Sequence, residues 1–462
     1  MLFLEYIIFL MSILVYELSL FSAIGLLIGG IDEILVDIIW IFHHLWRKIF
    51  IYRYVEPSTT LSFKHTPNPG YLAVFVPAWD EAAVIGAMLS YATTHFRDAN
   101  YKIFVGCYNN DVETIAAVRA VNNVQIKIVI CGHDGPTTKA DCLNILWSAL
   151  KSEEAHGSIR YKAVILHDAE DMVSTDELVI FDRLIEKNAL VQLPVIPIID
   201  PHSRWISGHY CDEFAEAHAK TLVVREAIGA AVPAAGVGCA IRCDILNRLA
   251  LERGGAPFDV GSLTEDYELG LRIHTFGERT IFVRLPRKGE FGIVGTRAHF
   301  PATLDAAVRQ KTRWVIGIAL AGWDRLGWGR GLVEPWMRLR DRRPIIAAFI
   351  LSSAYIALIL TAFLMLIDVL GGPKFQPITG EVAILIKINL LLLIWRMAVK
   401  AYFVGQLYGW GEAVYSIPRT VVANVIAIMA ARRAVCQYWF ILRGRQLKWD
   451  KTDHKFPVDH KS

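Results

Sequence analysis

The feature that most constrains the fold of this chain is the uneven distribution of its apolar residues, which are concentrated near its two ends. The 462 residues are 54% hydrophobic with a mean hydropathy of +0.37, more apolar than a soluble domain requires. A chain of this length can combine one domain of roughly 250 residues with membrane segments. We therefore expect membrane helices at both ends and a folded domain between them.

The N-terminal apolar run covers residues 6–30, which is enough to cross a bilayer core of about 30 Å. It is too long for the apolar part of a signal peptide and lacks a basic start and a small-residue cleavage site, so we expect it to be retained. A carboxyl group such as Glu17 costs on the order of 2.5 kcal/mol or more within a span. We therefore expect Glu17 to point inward, or the span to begin near Tyr16.

The C-terminal region contains three apolar runs. Residues 345–370 form the strongest, and residues 382–403 form a second that is interrupted by two cations; together they predict a transmembrane hairpin. Residues 413–431 carry Pro418 and Arg419, which suits a helix at the membrane surface better than a span. Both interpretations of this third run stay open.

Basic residues cluster beside these runs at three places, within residues 47–53, 338–343 and 432–448. The positive-inside rule makes all three clusters cytoplasmic, which places the N-terminus outside and residues 45–344 in the cytosol. The predicted organisation in the membrane is a transmembrane and juxtamembrane helix at 1–50, a cytosolic domain at 51–330, a transmembrane hairpin with interfacial helices at 331–445 and a cytosolic tail at 446–462.

Charge and cysteine usage exclude other classes of protein. The 48 basic and 45 acidic residues give a net charge of +3, which provides no basic field for nucleic acid, so no nucleic-acid partner is expected. The seven cysteines form no C-x-x-C pair, and six of them lie in the central region. We therefore predict reduced core thiols rather than a zinc site or a disulfide framework.

The central region alternates short β-branched runs with helical ones, which predicts an α/β fold. The predicted strands are residues 72–76, 103–107, 126–131, 163–167 and 190–196, with helices such as 81–95 and 139–151 between them. Five strands with crossover helices imply a mostly parallel, Rossmann-like sheet that is covered on both faces. Ligands of such sheets bind beyond the carboxyl ends of the strands.

Polar residues follow three of these strands. P-A-W-D-E at 77–81 ends the first, Y-N-N-D at 108–111 ends the second, and H-D-A-E-D at 167–171 ends the fourth. Each set alone is more often a helix cap or a loop acid, but their shared position favours a ligand site.

The acids Asp168, Glu170 and Asp171 have the hard oxygen ligands that Mg²⁺ or Mn²⁺ prefers, and they leave positions for diphosphate oxygens. The alternative is an acidic N-cap for a helix that begins near Thr175, which explains one acid but not three. We therefore expect Mg²⁺ or Mn²⁺ as the cofactor.

Two further motifs lie at helical segments. Asp266, in T-E-D at 264–266, is a candidate general base, with a helix cap as an equally weighted alternative. Gln310, Arg313 and Trp314 share one helix face that suits a diphosphate and a sugar, although an amphipathic helix at the membrane gives the same pattern.

Two smaller signals complete the pattern. Lys139 begins a helix and would favour a nucleotide anion, although an exposed lysine is the commoner explanation. The glycine-rich run at 235–238 lacks the Lys-Ser/Thr of a phosphate loop, and we expect it to give an acceptor close backbone approach.

The order of these motifs, followed by transmembrane helices, resembles that of the processive GT-A family 2 glycosyltransferases of the cellulose and hyaluronan synthase type. The motifs in question are P-A-W-D-E, N-N-D, K-A-D, D-A-E-D, T-E-D and Q-K-T-R-W. The resemblance is closest to the phage-adsorption protein B branch. It is carried by residues 76–81, 167–171, 262–267 and 309–318 and by the closing W-D-K-T-x-H-x-F-P segment at 449–457.

The resemblance implies roles for particular residues. The implied substrate-binding residues are Pro77, Trp79, Glu81, Asp111, Lys139, Asp168, Gln310, Arg313 and Trp314; the catalytic residues are Asp266 and Glu265; and the metal ligands are Asp168, Glu170 and Asp171. The usual D-x-D is D-x-E here, so Glu170 or Asp171 must fill the second metal position. Relatives often carry a cyclic-di-GMP-binding domain after W-D-K-T, and because this sequence stops at Ser462 we expect none.

The resemblance also implies the reaction. We expect an inverting transfer of a hexose or N-acetylhexosamine from a UDP-sugar to a growing exopolysaccharide, with membrane lipids and an outer-membrane export partner as further partners. One alternative is the addition of a single sugar to a lipid-linked acceptor. The other is a non-catalytic partner in membrane assembly or phage uptake.

Overall fold

The computed structural model describes residues 2–63, 69–96, 99–287, 292–444 and 456–457. Within these residues an α/β domain lies between a long N-terminal helix and a C-terminal group of helices. Of the predicted tail, only Phe456 and Pro457 belong to the described part, so the W-D-K-T segment lies outside it.

The described strands form two sheets. They are β1 Tyr71–Pro77, β2 Asn100–Tyr108, β3 Ile126–Cys131, β4 Tyr161–Leu166, β5 Leu190–Gln192, β6 Val195–Ile198, β7 Cys239–Arg242, β8 Thr280–Phe282 and β9 Thr296–His299. The main sheet has the order β3-β2-β1-β4-β7-β5-β8, and β6 pairs with β9 in the second. Within the main sheet only β7 is antiparallel to its neighbours. The prediction of a mostly parallel sheet is confirmed.

The predicted fifth strand, residues 190–196, is two strands in two sheets, so that prediction is wrong. The break falls at Pro194, which has no N–H to donate to a ladder. The N–H of Leu193 still bonds to the main sheet at Gly238 (2.9 Å), whereas the carbonyl of Pro194 accepts from Thr296 of β9 (3.0 Å). The chain therefore leaves the main sheet here and pairs with β9.

Helices cover both faces of the main sheet. The helices of the domain are α2 Ile85–His95, α3 Val112–Val121, α4 Lys139–His156, α5 Glu177–Leu184, α6 Ile206–Glu216, α7 Leu222–Ala227, α8 Cys243–Glu252, α9 Glu265–Thr275, α10 Leu304–Trp314, α11 Gly322–Leu326 and α12 Val333–Arg342. Successive residues of β1 pack into two different hydrophobic cores, because neighbouring side chains of a strand point to opposite faces of the sheet. Val74 packs on the side of α2, α3 and α5, and Phe75 packs on the side of α4, α8 and α9.

In the part of the chain that the structure describes, four helices are long and apolar enough to cross a membrane. They are α1 Leu2–Trp46, α13 Pro344–Val369, α14 Gly380–Tyr408 and α15 Trp410–Leu442. Helices α13 and α14 correspond to the predicted hairpin. Helix α1 continues well beyond the predicted end of its span at residue 30.

The second half of α1 docks on the α/β domain through charged side chains. Asp32 Oδ2 lies 2.6 Å from Arg343 Nη1, and Asp37 Oδ1 lies 2.6 Å from Lys220 Nζ. Lys220 belongs to a π-helical turn, Ala217–Thr221, that joins α6 to α7. The acids that follow the first span therefore fix the domain against the membrane helices.

Glu17 does not point into the helix contacts of α1, so the first of the two expectations for this residue is wrong, whereas a span that begins near Tyr16 stays a prediction. The packing position is taken by Val15, which lies against Leu364 of α13, and a residue two positions away lies on a different face of a helix. Glu17 is exposed and lines a groove of about 550 Å³ together with Lys374 from the segment between α13 and α14.

Helix α15 contacts the α/β domain along its length. Glu412 near its start accepts a hydrogen bond from Arg204 Nε (2.9 Å), and Tyr438 near its end contacts Asp324 of α11 (3.0 Å). Its length and composition also allow a membrane span. Contacts at both ends favour the interpretation of a helix that lies across the domain at the membrane surface.

Candidate active site

A cavity of about 1060 Å³ opens at the carboxyl ends of β1 and β4. Its walls include every predicted site residue except Asp111. These are Pro77, Trp79, Glu81, Lys139, Asp168, Glu170, Asp171, Glu265, Asp266, Gln310, Arg313 and Trp314. The parallel sheet thus brings together motifs that are far apart in the sequence, as expected for ligand sites at strand ends.

Asp111 lies outside the cavity walls and holds the turn after β1. It caps α3 by accepting from the N–H of Thr114 (3.3 Å), and its second oxygen accepts from the N–H of Asp80 (2.6 Å). The turn that this bond fixes carries Trp79 and Glu81 into the cavity. A direct contact of Asp111 with a nucleotide stays a prediction.

Lys139, the first residue of α4, lies among the acids of the site. Its Nζ forms an ion pair with Asp168 and donates to the carbonyl of Gly236 at 3.3 Å. Burial alone would lower the pKa of Lys139, but Asp168, Glu265 and Asp266 raise it above its ordinary value. The side chain is 19% exposed, so Lys139 is a largely buried cation rather than an exposed helix lysine.

Glu265 and Asp266 lie in the first turn of α9. The alternative of a Thr264 side-chain cap receives no support, because within the described residues the buried Thr264 hydroxyl has no hydrogen-bond partner. Burial and then the neighbouring Asp266 raise the pKa of Glu265 to about 7, and burial raises the pKa of Asp266 while Lys139 opposes the shift. A buried carboxyl group whose pKa is raised above its ordinary value is suited to take a proton from a substrate.

The predicted glycine-rich run packs against these residues. Gly236 has a φ of +75°, and a Cβ on it would lie 2.4 Å from Asp266 Oδ2. Glycine is therefore required here both by the backbone conformation and by the close approach of Asp266. Gly236 lies close to Asp266 and Lys139 of this chain, and the expected approach to an acceptor stays a prediction.

The last turn of α10 forms another wall of the cavity. Gln310, Arg313 and Trp314 all line it, in agreement with their predicted common face. Among the side chains that the structure describes, Arg313 has no ion-pair partner, so its guanidinium is available to an anion. The Trp314 ring lies edge-on to Tyr210 at 6.2 Å and 6.3 Å from Phe214.

Residues 68–317 match the family described as glycosyltransferase like family 2, which is more than half of the chain. The chain belongs to this glycosyltransferase family. It is 34% identical over 457 residues to bacteriophage adsorption protein B of Escherichia coli (strain K12), and to the same extent to bacteriophage N4 adsorption protein B of Escherichia coli O157:H7. The matches cover 94% of this chain and 61% of each relative.

A solved structure is also similar. The mannosyltransferase PcManGT from Pyrobaculum calidifontis, in complex with GDP-Man and Mn²⁺, matches with a TM-score of 0.52 and 16% identity, over 91% of this chain and 99% of that one. At this identity the likeness bears on the fold. The predicted GT-A fold is confirmed, and so is the resemblance to the phage-adsorption protein B branch.

The acids of this glycosyltransferase differ in their suitability for a metal ion. Asp168 and Glu170 present carboxylates at the cavity wall, whereas Asp171 Oδ2 accepts from the N–H of Asp168 (2.9 Å) and lies 3.0 Å from His167 Nδ1. No group of three or more potential ligands is arranged to hold a metal in the described part of the chain. The donor set fits a hard cation with two protein carboxylates and oxygens from a ligand. A ligand role for Asp171 stays a prediction.

Two aromatic residues at one end of the cavity were not predicted from the sequence. Phe300, directly after β9, and Phe214 of α6 line it, and their rings lie 5.0 Å apart. The R-A-H-F-P run at 297–301 was the available signal. Strand β9 has only four residues and pairs with β6, which the sequence did not separate from β5.

Proposed function

We propose that this chain is an inner-membrane glycosyltransferase that transfers a hexose or N-acetylhexosamine from a UDP-sugar, with inversion, to a growing exopolysaccharide. One observation carries the proposal: a single cavity joins a buried carboxyl pair, the Lys139–Asp168 ion pair and the unpaired Arg313. Transfer from a nucleotide-sugar needs these groups, a base for the acceptor and positive charge for the departing diphosphate.

Asp266 is the proposed base. The acceptor hydroxyl oxygen forms a bond to the anomeric carbon as the bond from that carbon to the diphosphate breaks, and the hydroxyl proton passes to the Asp266 carboxylate. The electron pair of the broken bond leaves with UDP. A single displacement inverts the configuration at the anomeric carbon. Burial raises the pKa of the Asp266 base, and burial and Asp266 raise the pKa of the adjacent Glu265 to about 7.

The diphosphate is proposed to lie between α10 and the strand ends. Arg313 provides a fork of donors for two phosphate oxygens, and Gln310 adds an amide on the same helix face. Asp168 and Glu170 would hold Mg²⁺ or Mn²⁺, which when bound neutralises charge on the departing diphosphate. Pro77, Trp79 and Glu81 would bound the nucleotide at the end of β1.

The donor nucleotide is a separate element of the proposal. UDP follows from the family resemblance, whereas the solved mannosyltransferase is named with GDP-Man. The two are distinguished by incubating the purified protein with panels of UDP- and GDP-sugars in Mg²⁺ or Mn²⁺. Release of UDP alone supports the proposal, and release of GDP alone contradicts it.

A lipid-linked acceptor is the second candidate, and one observation favours it. The cavity extends from Asp266 past Leu222 and Ile318 to Pro344, the first residue of the membrane helix α13. An acceptor anchored in the bilayer could therefore reach the base from the membrane side. A ladder of products supports a polymer, and one discrete lipid-linked product supports single addition.

A role in phage adsorption is proposed only as an indirect one, because the relatives bear that name and this chain spans about three-fifths of their length. The product, rather than the protein, would serve as the determinant, with an outer-membrane partner for export. A non-catalytic role in assembly or uptake predicts that a variant without transferase activity still supports adsorption.

The test of the base is Asp266→Asn. We expect kcat for sugar transfer to fall by about 10²–10⁴-fold, while UDP binding measured by calorimetry is retained. The matched control is Asp244→Asn, because Asp244 also lies in a first helical turn and accepts the next backbone N–H, at 2.9 Å, yet it does not line the cavity. Unchanged turnover in Asp266→Asn would contradict the assignment.

A further inference from the structure

His167 is a buried side chain for which the proposed reaction has no use. It directly follows β4, and its backbone N–H donates to the carbonyl of Phe75 in β1 at 3.1 Å. No part of the residue is exposed to solvent. The next residue along the chain is Asp168, so the imidazole lies at the root of the turn that carries the proposed metal ligands.

Both ring nitrogens of His167 contact carboxylates. Nδ1 lies 3.0 Å from Asp171 Oδ2, and Nε2 lies 2.6 Å from Glu177 Oε1. Because a carboxylate only accepts hydrogen bonds, each ring nitrogen acts as a donor. The imidazole therefore links an acid in the turn after β4 to an acid in the first turn of α5.

The same two carboxylates also hold the backbone of this segment. Asp171 Oδ2 accepts from the N–H of Asp168 and Glu177 Oε2 accepts from the N–H of Ser174, each at 2.9 Å. The start and the end of residues 168–174 are thus each fixed by a carboxylate, and His167 joins the two.

The middle of the segment is fixed to the second sheet. Met172 exchanges two backbone hydrogen bonds with Arg297 of β9, at 2.8 and 3.0 Å. Both ends and the middle of the turn are thus held by hydrogen bonds, and in this arrangement Asp168 pairs with Lys139 and Glu170 lines the cavity.

We propose that His167 is a positioning residue for the metal and diphosphate site, an inference that rests on the proposed function. An apolar side chain could fill the same space, but it could not donate to Asp171 and Glu177 at once. The link between the two ends of the turn would then be lost, and Asp168 and Glu170 would lose their fixed orientation. Partners of this kind typically change metal affinity by about 10–100-fold.

The test measures metal-assisted nucleotide binding rather than turnover. The full chain, purified in detergent, is titrated with UDP over a series of MnCl₂ concentrations, and thermal unfolding is recorded in parallel. The variants are His167→Gln, whose amide nitrogen cannot reach both carboxylates, and Glu177→Gln, which keeps the ring and its contact with Asp171.

The matched control is Glu154→Gln. Glu154 is another buried carboxylate, 7% exposed, that accepts from the backbone N–H of Tyr161 (2.9 Å) at the opposite end of β4. Its substitution should lower the Tm and leave the Mn²⁺ requirement unchanged. The control therefore separates loss of stability from loss of positioning.

We expect His167→Gln and Glu177→Gln to raise the half-saturating Mn²⁺ concentration for UDP binding by about tenfold or more. A lower Tm with an unchanged Mn²⁺ requirement in both variants would make the role purely structural and overturn the inference. If His167→Gln does not fold, Glu177→Gln provides the comparison. The inference is also overturned if UDP binding to the wild-type protein does not depend on Mn²⁺. If UDP binding depends on Mn²⁺ but no sugar is transferred, the proposed function alone is overturned.

Discussion

At one end of the cavity the side chains are charged and follow the ends of strands and the starts of helices, whereas at the other end they are aromatic and lie on or beside helices that contact α15. Lys139 and Asp168 represent the first end, and Phe214 and Trp314 represent the second. The charged end depends on the sheet for its geometry, and the aromatic end depends on contacts between the domain and the membrane helices. The difference suggests that donor chemistry and acceptor access can be perturbed separately.

Among the tests of this difference between the two ends, the largest expected effect falls at their boundary, at Arg313. Removing one donor to a developing negative charge typically costs about 10²–10³-fold in kcat, so Arg313→Gln should lower kcat by that amount. The matched control is Arg309→Gln on the same helix, because Arg309 pairs with Asp305 and lies outside the cavity walls. Steady-state release of UDP measures both variants. Equal losses in the two would show that the effect arises from α10 as a whole.

The charged end should also determine the pH dependence. Burial raises the pKa of Asp266, the proposed base, above its ordinary value, and the base acts only when it is ionised. The pKa of the neighbouring Glu265 is raised to about 7 by burial and by Asp266. As pH falls through the raised pKa of the base, kcat should therefore fall about tenfold per pH unit, and above that pKa it should level off.

Glu265→Gln sharpens this prediction. It removes one of two like charges, so the remaining carboxyl should titrate at lower pH and the inflection of the kcat profile should move in the acidic direction. An inflection that stays in place would show that a group other than this carboxyl pair controls the rate.

The charged end could be predicted from the sequence because one rule covers it: acids that follow strands of a parallel sheet meet at one edge. Asp168, Glu170 and Glu81 all lie there. Asp111 follows the same pattern but lies outside the cavity, because its carboxylate is used to cap α3 and to hold Asp80. A sequence pattern does not distinguish a carboxylate that binds a ligand from one that binds a backbone N–H.

At the aromatic end Trp314 was predicted from the sequence, whereas Phe214 and Phe300 were not, because they belong to elements that are arranged by long-range pairing. Phe300 reaches the cavity only because β9 pairs with β6, and the short strands β7 and β8 join the main sheet at positions far from their sequence neighbours. Strands of three or four residues carry too little periodicity to be recognised. The GT-A fold was therefore predictable in its first half, where the strands are longer and consecutive.

A smaller effect is expected at the aromatic end itself. Trp314→Ala should raise the KM for the acceptor by about tenfold, equivalent to about 1.4 kcal/mol, with little change in the KM for the donor. Trp314→Phe keeps a ring and should recover most of the loss. The control is Trp205→Ala, since Trp205 is 48% exposed and packs on Tyr415 rather than in the cavity. A rise in donor KM instead would contradict the division of the cavity into two ends.

The last prediction concerns the position of α15, the helix that the aromatic end contacts. Labelling a cysteine of this helix should leave activity unchanged. Cys436 of α15 is exposed, whereas the other six cysteines are buried, so a membrane-impermeant maleimide should label this residue alone. Helix α15 begins at Trp410, directly after α14, and Cys436 lies about 39 Å further along its axis at about 1.5 Å per residue. If α15 lies on the membrane surface, Cys436 labels on the same side as the α/β domain; if α15 crosses the bilayer, it labels on the opposite side.

Right-side-out and inverted vesicles give the two sides separately. Cys436→Ser should abolish labelling, and Gln376→Cys in the Cys436→Ser background, placed in the segment between α13 and α14, reports the far side of the hairpin. We expect Cys436 to label in inverted vesicles and Gln376→Cys in right-side-out vesicles, because α15 contacts the α/β domain from Glu412 to Tyr438. If both thiols label in right-side-out vesicles, the end of α15 lies across the membrane from the α/β domain. Trp314 would then lie beside a transmembrane helix rather than beside a helix at the membrane surface.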